Sequence, residues 1–149
     1  MDLQVKIKLT RGMEAPAYAT DGSAAMDLRA ALDEGQDVTL QPGERALIPT
    51  GLAISPETCD VVAIVAGRSG LGVKNGITLS NSIGVIDSDY RGEISVGLIN
   101  HGDAPFTIHR GDRIAQLFFL PVCHAQLLVC EELDETARGS GGFGHTGVR

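Results

Sequence analysis

The chain has no tryptophan, and its 149 residues include only two Tyr and four Phe. A domain of this size with so few rings has a thin private core. Cysteine is scarce as well. Cys59, Cys123 and Cys130 are an odd number without C-x-x-C spacing, which excludes a disulfide framework or a zinc-ribbon pattern. Lying in or beside apolar segments, they are expected to be buried free thiols of a reducing compartment. No run approaches the ~18 apolar residues of a membrane span, and the N-terminus lacks a signal-peptide core, so the expected location is cytoplasmic with no membrane partner. Positive charge is in deficit: 12 Lys and Arg face 19 Asp and Glu, a net charge of −7. That balance argues against binding a nucleic-acid polymer, which calls for a basic field. The four His share no metal-like spacing, and neither a G-x-S-x-G elbow nor a Walker A loop occurs.

Glycine, by contrast, is abundant, at 19 residues, and the hydrophobic share of 43% is that of a globular chain. The length predicts one domain. At the N-terminus, Leu3, Val5, Ile7 and Leu9 alternate with Lys6 and Lys8, the pattern of a strand. Further short apolar stretches follow at 24–30, 38–40, 46–54, 61–67, 76–87, 93–100, 106–108, 113–122 and 125–133. Gly, Pro, Asn and Asp punctuate them every ~8–12 residues, which predicts an all-β sandwich, jelly roll or barrel. No stretch holds a 3.6-residue period long enough for a sizeable helix.

Three segments could carry chemistry. Gly67-Arg68-Ser69-Gly70-Leu71-Gly72 follows an apolar strand and reads either as a phosphate cradle or as a plain turn. Residues 80–92 hold Asn81, Gly84, Val85, Ile86, Asp87, Asp89 and Tyr90. Beside two β-branched apolar residues Asp87 is expected to be partly desolvated, making it a base candidate, unless the acids merely decorate a hairpin turn. Asp27 interrupts an apolar stretch and suggests a buried acid with a fixed partner. The tail 138–149 has five Gly around Phe143, with Arg138 at its entrance. Too poor in apolar surface to order itself, it is either a disordered terminus or a backbone able to wrap an anion.

In combination these segments resemble the trimeric dUTPase family. Its five motifs occur in order: SAAMDLRA at 23–30, GRSGLG at 67–72, NSIGVIDSDYRG at 81–92, GDRIAQLFF at 111–119 and RGSGGFGHTG at 138–147. Gly67 stands where the family usually has Pro, and Ser80 where Gly is frequent. The resemblance implies an all-β, jelly-roll-like barrel over 1–137 with a flexible lid segment at 138–149, assembled as a homotrimer with active sites shared between subunits. It implies Mg²⁺-dependent hydrolysis of dUTP to dUMP and pyrophosphate, which keeps uracil out of DNA and supplies dUMP for thymidylate synthesis. By the same resemblance Asp87 activates the water that attacks the α-phosphate. Asn81, Gly84, Val85, Ile86 and Tyr90 enclose the uracil and deoxyribose, while Arg68, Ser69, Gly70 and Gln116 hold phosphates. Asp27 places Mg²⁺ through water, and Arg138, Phe143 and Gly144 close over the nucleotide. A dCTP deaminase shares the barrel but lacks the complete third motif.

Overall fold

The computed structural model describes residues 3–142. Eleven short strands and one helix are found among them: β1 (Val5–Leu9), β2 (Met26–Arg29), β3 (Val38–Leu40), β4 (Arg45–Pro49), β5 (Leu52–Pro56), β6 (Val61–Ala66), α1 (Ser69–Asn75), β7 (Ile77–Leu79), β8 (Gly84–Ile86), β9 (Ser95–Asn100), β10 (Phe106–Ile108) and β11 (Arg113–Pro121). All pairings are antiparallel, in four small sheets ordered β1-β5, β10-β3, β4-β9-β7 and β2-β11-β6-β8. They wrap one aliphatic core that includes Leu28, Leu40, Ile48, Ile77, Ile94, Leu98, Ile108, Ile114 and Leu117. This is the expected all-β, jelly-roll-like barrel. Alternation sets which side chains turn inward: β5 buries Leu52, Ile54 and Pro56, and β9 buries Val96, Leu98 and Asn100.

The apolar stretch 46–54 is two strands rather than one. Gly51, at φ +69°, breaks it, and a Cβ there would lie 2.7 Å from the Thr10 carbonyl oxygen. Among the described residues Asn100 is the one fully buried amide. Its Nδ2 donates to the carbonyls of Leu40 (2.9 Å) and Ala104 (2.8 Å), and its Oδ1 accepts from the Gly102 N–H (2.8 Å), so its burial carries no unmet polar group.

Two expectations are corrected. All three cysteines are exposed, because Cys59 precedes β6 and Cys123 and Cys130 follow β11, outside the core. The segment 125–133 forms no strand within the chain, and Leu127, Leu128, Val129 and Leu133 stand in solvent. β1 forms as its alternation predicts; its Ile7 and Leu9 are exposed, since β1 pairs only with β5 at the rim of an apolar cavity of about 680 Å³.

Candidate functional site

One cluster is built on the sheet β2-β11-β6-β8. Asp27 on β2 faces Gln116 on β11, which in turn faces Ala66, the last residue of β6. The chain then leaves β6 through Gly67 into Arg68, whose backbone is extended (φ −87°, ψ 128°) as the residue before α1. From there the Arg68 guanidinium turns back over the sheet. Its Nε donates to Asp27 Oδ1 (2.8 Å), and an Nη donates to the carbonyl of Arg113 (3.3 Å). Arg113 donates to the other oxygen, Asp27 Oδ2, at 3.2 Å. Asp27, with about a fifth of its side chain exposed (19%), is thus held between two cations, the fixed partnership expected of it. Ser69 and Gly70 open α1 beside this cluster and are exposed. Arg68 and Arg113 also line a cavity of about 260 Å³ with Leu71, Phe106 and Ile114.

A β-bulge makes this face possible. Arg113 pairs with Arg29 while Ala115 pairs with Leu28, so Ile114 is the extra residue. In an unbroken strand residues 113 and 116 point to opposite sides. The bulge restores both Arg113 and Gln116 to the Asp27 side and lets Ile114 and Ala115 enter the core together. Arg113, overlooked in the sequence, belongs to the cluster for this reason alone, and no residue pattern announces it.

The Arg68–Asp27 pair is largely withdrawn from water, so its charge-assisted bond contributes about 1.5–3 kcal/mol. The half-exposed Arg113 adds less, on the order of 0.2–1 kcal/mol. Asp27→Ala is expected to lower unfolding free energy by about 2 kcal/mol in urea titration, the lost bond plus two cations left facing each other. An unchanged denaturation midpoint would contradict the pairing.

A second cluster surrounds β8. The loop between β7 and β8 is tied by Asn81, whose Nδ2 donates to the Ile83 carbonyl (2.9 Å), while Ser82 takes φ +65°. Gly84 lies against β6, where a Cβ would stand 3.0 Å from Cβ of Val65. Asp87 and Tyr90 close the following turn through the bond from Tyr90 N–H to the Asp87 carbonyl (3.1 Å). The Tyr90 hydroxyl donates to the carbonyl of Glu93 (3.1 Å), and its ring lies on Gly92, where a Cβ would approach Cζ to 2.5 Å. Glu93 anchors this turn to the barrel, accepting the Gly51 N–H at 2.7 Å and Arg11 Nε at 3.1 Å. Gly92 and Glu93 are further residues that sequence reading missed, since only the fold shows what a glycine or an acid at the turn's foot supports.

Asp87 itself is exposed, as are Val85 and Ile83, so the desolvation expected from its apolar neighbours is not met within one chain. Val85 points outward, and Ile86 turns away from it to pack against the core. Nor does Asp87 join the Arg68 cluster. Gly84 pairs with Val65 and Ile86 with Ala63, so the chain reaches Asp87 while running beside the start of β6, whereas Arg68 lies beyond its end. From Val62 to Arg68 is roughly 20 Å of chain.

In the tail, Arg138 donates from Nε to the Gly141 carbonyl (2.8 Å) within a tight turn at 136–141. Phe143 and Gly144 lie outside the described residues.

The comparisons with known proteins agree with this architecture. The dUTPase family model matches residues 11–147. A deoxyuridine 5'-triphosphate nucleotidohydrolase of Rhizobium rhizogenes is 52% identical over 145 residues, covering 97% of this chain and 92% of the relative. One from Histophilus somni is 55% identical over 134 residues, covering 90% and 87%. Among solved structures, the Staphylococcus bacteriophage 80alpha dUTPase with dUpNHpp superposes with a TM-score of 0.84 at 27% identity, covering 99% of each chain. With a family match over most of its length and relatives above half identity, the chain belongs to the dUTPase family.

Proposed function

We propose that this chain hydrolyses dUTP to dUMP and pyrophosphate in sites completed between subunits of a homotrimer. The separation of Asp87 from the Arg68 cluster carries this reading. A general base must come within about 3 Å of the attacking atom, or one water away. A base and a phosphate clamp roughly 20 Å apart along one chain meet at a substrate only if different copies supply them. Exposed Ile83 and Val85 beside Asp87, and the unpartnered Leu127, Leu128 and Val129, give such copies apolar surface to share. A monomeric mass by light scattering at micromolar concentration would contradict the assembly.

Within that site the Asp87 carboxylate takes a proton from water as its oxygen attacks the α-phosphorus. The bond from that phosphorus to the α,β-bridging oxygen breaks, and pyrophosphate leaves. Arg68, Ser69, Gly70, Arg113 and Gln116 hold the phosphates. Asp27 takes Nε of Arg68 and the Arg113 carbonyl takes one Nη, which leaves the other Nη to face the anion. The base and sugar lie against Asn81, Gly84, Val85, Ile86 and Tyr90, and the tail closes over them through Arg138, Phe143 and Gly144, making 138–149 a lid on the 1–137 barrel.

Each oxygen of Asp27 already accepts a guanidinium N–H, which leaves lone pairs for metal-bound water but no bare carboxylate for direct ligation. Asp27 therefore fits Mg²⁺ through its water shell, with substrate phosphates as the main ligands. When bound, Mg²⁺ disperses phosphate charge.

The primary test is pyrophosphate release from dUTP, dTTP, dCTP and UTP, with and without Mg²⁺. Release confined to dUTP supports the reading, whereas ammonia from dCTP would replace it with deamination. Truncation before Arg138 is expected to preserve the thermal midpoint and to lower turnover at least tenfold, because an open site loses its closure and its water exclusion. Gly92→Ala, which drives the Tyr90 ring from its seat, is expected to raise KM for dUTP about tenfold, or 1.4 kcal/mol, and to weaken rejection of UTP. Steady-state kinetics on both nucleotides reads this out.

A further inference from the structure

At the end of the β6/β11 pair opposite the Arg68 cluster, Cys59, Asp60 and His124 converge so that one ligand atom of each lies within 4.8 Å of the others. We propose that they form a surface binding site for Zn²⁺. The three residues come from two segments that the sheet itself brings together. Val61 pairs with Pro121 as the last rung of β6 and β11, and the Val122 N–H donates to the Asp60 carbonyl (2.9 Å) one step beyond it. His124 Nε2 lies 3.3 Å from the Cys59 carbonyl oxygen, and Cys59 Sγ stands 4.0 Å from Asp60 Oδ1. Thr58 Oγ1 orients the carboxylate by donating to Asp60 Oδ2 (3.1 Å), leaving Oδ1 toward the thiol.

A thiolate, an imidazole and a carboxylate make a donor set for a borderline-soft cation, not for Mg²⁺. Zn²⁺ bonds of about 2.0–2.3 Å place tetrahedral ligands roughly 3.3–3.8 Å apart, so the three atoms need close by only about 1 Å. All three residues are exposed, which leaves the fourth position to water and an open route for entry. Binding replaces the thiol proton by the metal and so weakens as pH falls. It also clips residues 122–124, where the C-terminal segment leaves the barrel, to the turn before β6. No sequence motif signals the site, because 59–60 and 124 are brought together only by the pairing of β6 with β11.

The test titrates the full-length, chelator-treated protein with Co²⁺ and follows the thiolate-to-metal charge-transfer absorption in the near ultraviolet. One Co²⁺ per chain, displaced by Zn²⁺, is expected, with the band lost in Cys59→Ser and the affinity at least tenfold weaker in His124→Ala. Cys123→Ser and Cys130→Ser should retain it, and matched melting temperatures in metal-free buffer would show all four variants folded. A band that survives Cys59→Ser, or that disappears in Cys130→Ser, overturns the assignment, as does the absence of any band.

Discussion

Replacing Asp87 by Asn is expected to lower turnover of dUTP by about 10²–10⁴-fold while leaving binding of the nucleotide close to that of the parent. The range is that of removing a positioned general base. The amide keeps the carboxylate's shape but cannot accept the water proton at neutral pH. Because Asp87 is exposed and contributes only its backbone carbonyl to the turn that holds Tyr90, the substitution should not disturb the fold. Isothermal titration with a non-hydrolysable analogue and a pyrophosphate assay separate the two effects. Near-parental turnover would remove Asp87 from the role of base, and a parallel loss of affinity would make it a binding group.

The largest expected effect on stability comes from Gly76→Ala. Gly76 ends α1 with φ +70°, and its N–H donates to the Gly72 carbonyl (3.0 Å). A Cβ there would stand 2.7 Å from Cα of Gly102 and 2.8 Å from the carbonyl carbon of His101, and closer still to the Gly102 nitrogen. These are backbone atoms, held by the buried Asn100 amide, and cannot swing aside. A left-handed alanine costs about 1–2 kcal/mol, and displacing a packed corner adds about 1–3 kcal/mol. Together these amount to about 2–5 kcal/mol, and at roughly 2–4 °C per kcal/mol the melting temperature should fall by about 4–20 °C. A variant melting with its parent would show that the corner yields. The strain would also reach function, since α1 carries Ser69 and Gly70 at its other end.

The strand pattern was legible because alternation and turn residues act locally. Leu52, Ile54, Val96 and Leu98 point inward wherever their strands are placed. Where the reading failed, burial depended on distant neighbours. Cys123 and Leu128 lie in apolar sequence, yet the chain offers them no facing sheet. Asp87 has the apolar neighbours that suggest desolvation, but Val85 points outward and Ile86 packs into the core, so neither covers the carboxylate. The GRSGLG segment, read as a cradle or a turn, also opens the short helix α1, which ends where Gly76 supplies the left-handed stop.

From its sequence alone this protein was determined as an aliphatic, turn-rich β domain with five ordered motifs. Those motifs also carry the resemblance to the dUTPase family, and with it the residues proposed for phosphate binding and for the base. Local propensity and chemical identity travel with the residues, so no fold is needed to read them. Register and distance belong to the tertiary structure. It decided that a single-residue bulge turns Arg113 to the side of Asp27 and Gln116, and that Asp87 stands away from Arg68 along β6. A strand's partner and its shifts arise from contacts between residues far apart in the chain, and such contacts leave no trace in local pattern.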